Sequence, residues 1–165
     1  MKLKHVAFDL HGTIDKNPSF FKKLSNEIYL LDKDFKIFIL SGSKEDTIRR
    51  ELNDLNFEEK YYTDILSIND YLDSIGVIKT YIESRNEITY DEDLWWATKR
   101  ILCTKFNIGF LIDNDIRYSI YFRNIINLPI VRANIAYKKE CPIFYLYSNF
   151  ENDYDAKFIA NFLNF

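Results

Sequence analysis

Apolar positions along this chain fall into short unbroken runs, separated by longer stretches in which they recur every three or four residues. Residues 3–9 (LKHVAFD) form one such run and stop at the polar turn LHGTIDKNP, the pattern of a buried strand entering a loop. Pro18 suits the first turn of a helix, and Phe20, Phe21, Leu24, Ile28 and Leu31 follow at helical spacing. KIFIL (36–40) is a second buried strand, ending at Ser41-Gly42-Ser43. Ser43 is placed as the N-cap of a helix through about residue 56, with Asp46 in its acidic first turn. Ile65, Ile68 and Leu72 predict a short helix closed by Gly76. VIKTYI and EITY around ESRN then predict a β-hairpin, so the stretch at about 57–91 reads as a small insertion, a cap or flap.

A helix from Glu92 to about Phe106 carries Trp95, Trp96, Lys99 and Leu102. IGFLI (108–112) is a third buried strand, ending in Asp113-Asn114-Asp115. A helix to about Ile125, strands at LPIVRA and IFYLY, and a packing helix from about Asn152 complete the pattern. Strands that are apolar throughout and alternate with helices predict an α/β domain with a parallel sheet covered on both faces. Ligands of such sheets bind beyond the carboxyl ends of the strands. Here three strand ends carry polar clusters, at Asp9–Thr13, Ser41–Ser43 and Asp113–Asp115.

Composition narrows the classes further. The 165 residues suit a single domain, and 47% hydrophobic with 28% charged residues exclude a disordered chain. The net charge of −3 is spread along the chain, which gives no basic stripe for gripping duplex nucleic acid. Cys103 and Cys141 are too few for a disulfide framework or a zinc site and are expected as reduced thiols. No signal peptide or membrane-length apolar run is present in the sequence, so the expected setting is the cytoplasm, away from membranes.

The segment VAFDLHGTID resembles the first motif of the haloacid-dehalogenase (HAD) superfamily, a strand followed by Asp-x-Asp-Gly-Thr, here Asp9-Leu10-His11-Gly12-Thr13. The strand IFIL ending at Ser41 is similar to the second motif. Lys99, 14 residues before Asp113, is similar to the third, and GFLI ending at Asp113-Asn114-Asp115 to the fourth. The resemblance covers residues 5–115. It implies a HAD-like Rossmannoid three-layer sandwich with at most a small cap, and Mg²⁺-dependent hydrolysis of a phosphomonoester through an aspartyl-phosphate on Asp9. It implies Mg²⁺ ligation by the Asp9 and Asp113 carboxylates and the main-chain carbonyl of His11, with Asn114 or Asp115 as support. Ser41 and the Gly42 amide would bind the phosphoryl oxygens, and Lys99 would neutralise charge.

The departure from the family pattern is His11, where related phosphatases carry the Asp that acts as general acid and base. An imidazole with a reference pKa of about 6.5 can do both jobs. The alternatives are slow turnover with a long-lived phospho-intermediate, or loss of hydrolysis. Phosphorylated small molecules, nucleotides and nucleic-acid ends are the expected substrates. A catalytically weak protein that binds a phosphorylated ligand or partner is the alternative from another class, and a receiver-like domain ranks below both. Simpler roles stand beside these. Ser41–Ser43 suits a plain helix cap, and a helical Lys is usually solvated. His5 is expected at the surface, the Trp pair in packing, and Asp91-Glu92-Asp93 at a helix N-terminus for its dipole.

Overall fold

The structure, a computed structural model, describes residues 5–128 and 143–164. The apolar runs become β1 (His5–Phe8), β2 (Lys36–Ser41), β3 (Asp64–Ser67), β6 (Phe110–Asp113), β7 (Asn124–Asn127) and β8 (Phe144–Tyr147). These pair in the order β3-β2-β1-β6-β8-β7, every pairing parallel. β4 (Thr80–Ile82) and β5 (Glu87–Thr89) form a separate antiparallel hairpin. The helices are α1 (Pro18–Leu31), α2 (Glu45–Asp54), α3 (Ile68–Ser74), α4 (Glu92–Lys105), α5 (Ile116–Ser119) and α6 (Ala156–Leu163).

Alternation along the strands divides the core into two layers. Val6, Phe8, Ile37, Ile39 and Ile112 face α1, α2 and α6, where Phe21, Leu24, Leu52 and Ile159 pack against them. Ala7, Phe38, Leu40, Leu66 and Leu111 face the other way, onto Ile68, Leu72, Leu102 and Cys103 of α3 and α4. Both strand faces are thus covered, which is why the strands read as continuous apolar runs. Local chemistry sets the helix starts. The Asn17 side chain accepts from the Phe20 amide ahead of Pro18, and the Asp91 side chain accepts from the Leu94 amide. The acidic run at 91–93 therefore has the helix-terminal role expected of it.

The chain lays down β1, β2 and β3 in one direction and then crosses back to β6 on the other side of β1. This reversal opens a crevice at the carboxyl ends of β1 and β6. The Asp9 amide donates to the Ile112 carbonyl at 2.9 Å, so the pairing runs one residue past β1 and fixes Asp9 beside the end of β6.

Several expectations need correction. Ile65 lies in the edge strand β3; its spacing to Ile68 and Leu72 mimics a helix because a short apolar run carries no period of its own. Of the 57–91 stretch, β3 and α3 belong to the main sheet and its covering layer, and only the β4–β5 hairpin stands off the sheet. Ser43 is not the cap of α2. Lys44 holds that position without a side-chain bond, the Ser43 carbonyl accepts from Ser67 Oγ, and Asp70 accepts from the Glu45 amide instead. The helix expected to reach Ile125 stops at Ser119, and Asn124–Asn127 is an edge strand with alternate residues exposed. The last helix begins at Ala156, capped by Asp155. His5 is half-buried, and its Nδ1 accepts from the Lys36 amide. Most of LPIVRA, and Cys141, lie outside the described residues. Cys103 is buried, and burial pushes its thiol pKa well up, away from the reactive thiolate. No described helix is long and apolar enough to cross a membrane.

Candidate active site

The turn after β1 places the first set of groups. Asp9 leaves the strand in an extended conformation, and Gly12 takes φ 77°, the left-handed region, where its amide donates to Asp15 Oδ1 at 2.6 Å. A Cβ on Gly12 would lie 2.1 Å from the Asn114 amide nitrogen. Glycine is therefore required twice, for the backbone and for the approach of the β6 loop. Gly12→Ala is expected to cost on the order of 1–3 kcal/mol, with more lost if Asn114 cannot withdraw. Urea denaturation of the two proteins checks this, and an unchanged midpoint would refute the close approach.

Lys99 supplies the centre of the arrangement. From α4 its ammonium reaches Asp9 Oδ1 at 2.7 Å and Asp113 Oδ2 at 2.6 Å, with all three side chains almost wholly removed from solvent. The Tyr118 ring lies 4.0 Å from the same nitrogen, a cation–π contact in a desolvated place. Asp113 Oδ1 accepts the Asp115 amide at 2.8 Å. Thr13 Oγ1 stands 3.2 Å from both Asp9 Oδ2 and Asn114 Oδ1, so its single hydrogen serves one acceptor at a time.

The charges do not cancel. Two buried carboxylates share one ammonium, which leaves the group net negative when both are ionised. Burial pushes the Asp9 carboxyl up to about 6; Lys99 opposes this and Asp113 adds to it. Burial works against the charge on Lys99 as well, but Asp113 and Asp9 outweigh it and raise its pKa, so it remains an ammonium. Near neutral pH Asp9 is mostly ionised.

His11 projects from the same turn and is half-exposed. Its Nε2 lies 2.8 Å from Glu51 Oε2 on α2, and its Nδ1 lies 3.3 Å from Ser41 Oγ at the end of β2. A carboxylate thus orients an imidazole whose other nitrogen faces a hydroxyl. The Gly42 Cα is covered by the Trp95 ring; a Cβ there would meet it at 2.8 Å. Asp115 is turned aside. Its carboxylate caps α5 and pairs with Arg117 at 2.6 Å, which holds its pKa down. Asn114 is the member of that pair that lies close to the Asp9 side.

Asp9, His11, Ser41, Gly42, Lys99, Asn114 and Asp115 all line one cleft of about 430 Å³. Asp113 lies beneath it, fully buried, and acts through Lys99. The residues singled out in the sequence are therefore brought together at the crevice between β1 and β6. Comparison with protein-family models, curated proteins and solved structures finds no match to this chain. The site must be read on its own geometry.

Sequence reasoning gave no role to Thr13, Glu51, Tyr118 or Arg117. Thr13 sits inside the first motif, and its place after Gly12 was a usable signal. The other three come from α2 and α5, with no local pattern to mark them. A second, larger cleft of about 530 Å³ at the ends of β7 and β8 has no Lys, Arg, His or Cys among its described lining residues.

The acidic side chains offer oxygen donors, the ligand type that Mg²⁺ takes. Among the described residues no group of three or more His, Cys, Asp and Glu side chains gathers as a metal site. Mg²⁺ takes oxygen ligands and keeps several waters, so two carboxylates and a carbonyl suffice. Asp9 presents its carboxylate to the cleft, whereas the two Asp113 oxygens already accept from the Lys99 ammonium and the Asp115 amide.

Proposed function

We propose that the chain is a Mg²⁺-dependent phosphomonoester phosphohydrolase of the HAD type, with Asp9 as nucleophile. The observation that carries this reading is the buried Asp9–Lys99–Asp113 group at the carboxyl ends of adjacent parallel strands. An ion pair serving stability alone has no need of a second carboxylate that leaves it unbalanced, nor of a cleft opening on one of them.

Mg²⁺ held by Asp9, the His11 carbonyl and, once Lys99 releases its Oδ2, Asp113 would offset negative charge on the phosphoryl group. In the first step an Asp9 carboxylate oxygen attacks phosphorus and the bond to the leaving oxygen breaks. His11 gives that oxygen a proton. In the second step the neutral imidazole takes a proton from water, whose oxygen attacks the aspartyl-phosphate and releases phosphate and the Asp9 carboxylate. Glu51 holds the imidazole between these roles. Ser41 and the Gly42 amide donate to the phosphoryl oxygens, and Lys99 keeps Asp9 oriented and offsets charge as it develops.

One observation favours a second reading, a weakly catalytic binder of phosphorylated ligands: both ring nitrogens of His11 already have side-chain partners. Phosphate release from a panel of phosphomonoesters, with and without Mg²⁺, separates the two. Hydrolysis that requires Mg²⁺ and disappears in Asp9→Asn is the expected result. His11→Ala is expected to lower kcat by about 10²–10⁴, the usual worth of a general acid–base group. No release from wild type, with release gained in His11→Asp, would favour the binder.

A further inference from the structure

The groups above account for a phosphoryl site, but not for the wall that rises from it. Trp95 and Trp96 precede Lys99 on α4 by four and three residues, so both lie on its face, one helical turn further out. Lys99 and the two indoles line the same cleft. Neither belongs to the buried positions of α4, which are Thr98, Lys99, Leu102 and Cys103.

Each indole is braced by neighbouring side chains, several of which line the same cleft. Trp95 stacks on Tyr90 with ring centroids 5.8 Å apart and planes at 17°, and its edge rests against Gly42. Trp96 meets Tyr118 edge-on at 4.7 Å, and the Arg117 guanidinium lies 4.4 Å from its ring. Asp115 pairs with that guanidinium and offsets its charge at the cleft rim. Both rings pack in part against the core, and both also stay partly exposed where they line a polar cleft. They offer π-surface at low entropic cost in the same cleft as Asp9, Ser41 and Lys99.

We propose that this wall selects the leaving group, and that the cleft takes the terminal phosphate of a nucleotide whose base stacks on Trp95 and Trp96. Arg117 acts as a further stacking plane at the rim, since guanidinium groups stack on bases as well as on indoles. The cleft volume of about 430 Å³ is in the range of small-ligand sites and open at the rim, so it accommodates a mononucleotide or the last nucleotide of a single strand. The inference rests on the phosphatase reading for the chemistry at Asp9, but not for the binding itself.

The chain has two tryptophans and both line this cleft, so intrinsic fluorescence reports it directly. The wild-type protein with Mg²⁺ is titrated with adenosine monophosphate, ribose phosphate and a short single-stranded oligonucleotide bearing a terminal phosphate. Excitation is at the red edge, where bases do not absorb. Saturable quenching by adenosine monophosphate at concentrations where ribose phosphate gives none is the expected result. Equal response to both, or to neither, overturns the proposal. The oligonucleotide binding more tightly than the mononucleotide assigns the site to nucleic-acid ends, and the reverse assigns it to free nucleotides.

Turnover gives a second readout. The ratio of kcat/KM for adenosine monophosphate over ribose phosphate is expected to fall about 10-fold in Trp96→Ala, and to be largely restored in Trp96→Phe, as stacking predicts. A ratio near one in the wild type overturns the proposal while the phosphatase reading stands. Base-dependent quenching without release of phosphate from any probe does the opposite: the aromatic site stands and the phosphatase reading fails.

Discussion

Lys99→Met is expected to destabilise the metal-free protein by on the order of 3–5 kcal/mol and to abolish phosphate release. The substitution removes the only ammonium from between two buried carboxylates, and a buried charge stripped of its partner costs far more than the pair contributed. Methionine fills a similar volume, so the loss is electrostatic and not a cavity. Two controls identify the cause. Lys99→Met combined with Asp9→Asn should lose less than Lys99→Met alone, because one buried charge remains where there were two. Added Mg²⁺ should recover part of the loss, since a dication at the same carboxylates replaces the missing positive charge. Chemical denaturation of wild type, Lys99→Met and the double variant, with and without Mg²⁺, measures both effects. A Lys99→Met protein as stable as wild type would mean that the ammonium does not sit between the carboxylates.

Asp9→Asn is expected to behave in the opposite sense: turnover is lost, yet the metal-free protein gains stability at neutral pH. The sign follows from the carboxyl itself. Its pKa is 3.8 in an unperturbed setting and rises to about 6 in the folded protein, so folding favours the protonated form. Stability from this group is fully present below the unfolded value and is lost as pH rises through about 6. A rise of that size corresponds to at most about 3 kcal/mol between the two forms. Asparagine carries no such penalty and leaves Lys99 paired with Asp113 alone. The gain in Tm over wild type should therefore be present at pH 7 and shrink toward pH 4. Mg²⁺ should narrow it by stabilising the wild type. An Asn variant less stable than wild type across this range would show that Asp9 is held as a favourable ion pair.

In both cases the electrostatics come from two buried carboxylates on one ammonium. The carboxylate that raises the electrostatic cost of folding is the one facing the cleft, while Asp113, fully buried, holds the ammonium in place. A protein selected for stability alone would match the ammonium with a single carboxylate. The hairpin of β4 and β5 is the part that stands off the sheet, and none of its residues lines the cleft.

Much of this was legible in the sequence, for local reasons. β1, β2 and β6 are apolar runs long enough to identify as buried strands, and each ends in polar residues at the edge where a parallel sheet binds ligands. Asp9 and Gly12 stand in a turn whose chemistry is carried by adjacent residues, and the helix starts at Pro18 and Glu92 are marked by their own caps. What the sequence left ambiguous were short elements without a period: Ile65 fits a helix until β3 pairs with β2, and the helix expected to reach Ile125 ends at Ser119 before the chain turns into β7.

Tertiary structure alone decided which side chains meet. The strand order brings Lys99 to Asp9 across 90 residues, and α2 brings Glu51 to His11 across 40. It also turned Asp115 toward Arg117, left Asn114 beside Gly12, and brought the two tryptophans into the same cleft as Lys99. Local sequence determines dihedrals and which face of an element is apolar, because those depend on neighbours along the chain. Contacts between elements depend on how the sheet is ordered, and the charge state of Asp9 follows only once burial and those contacts are in place.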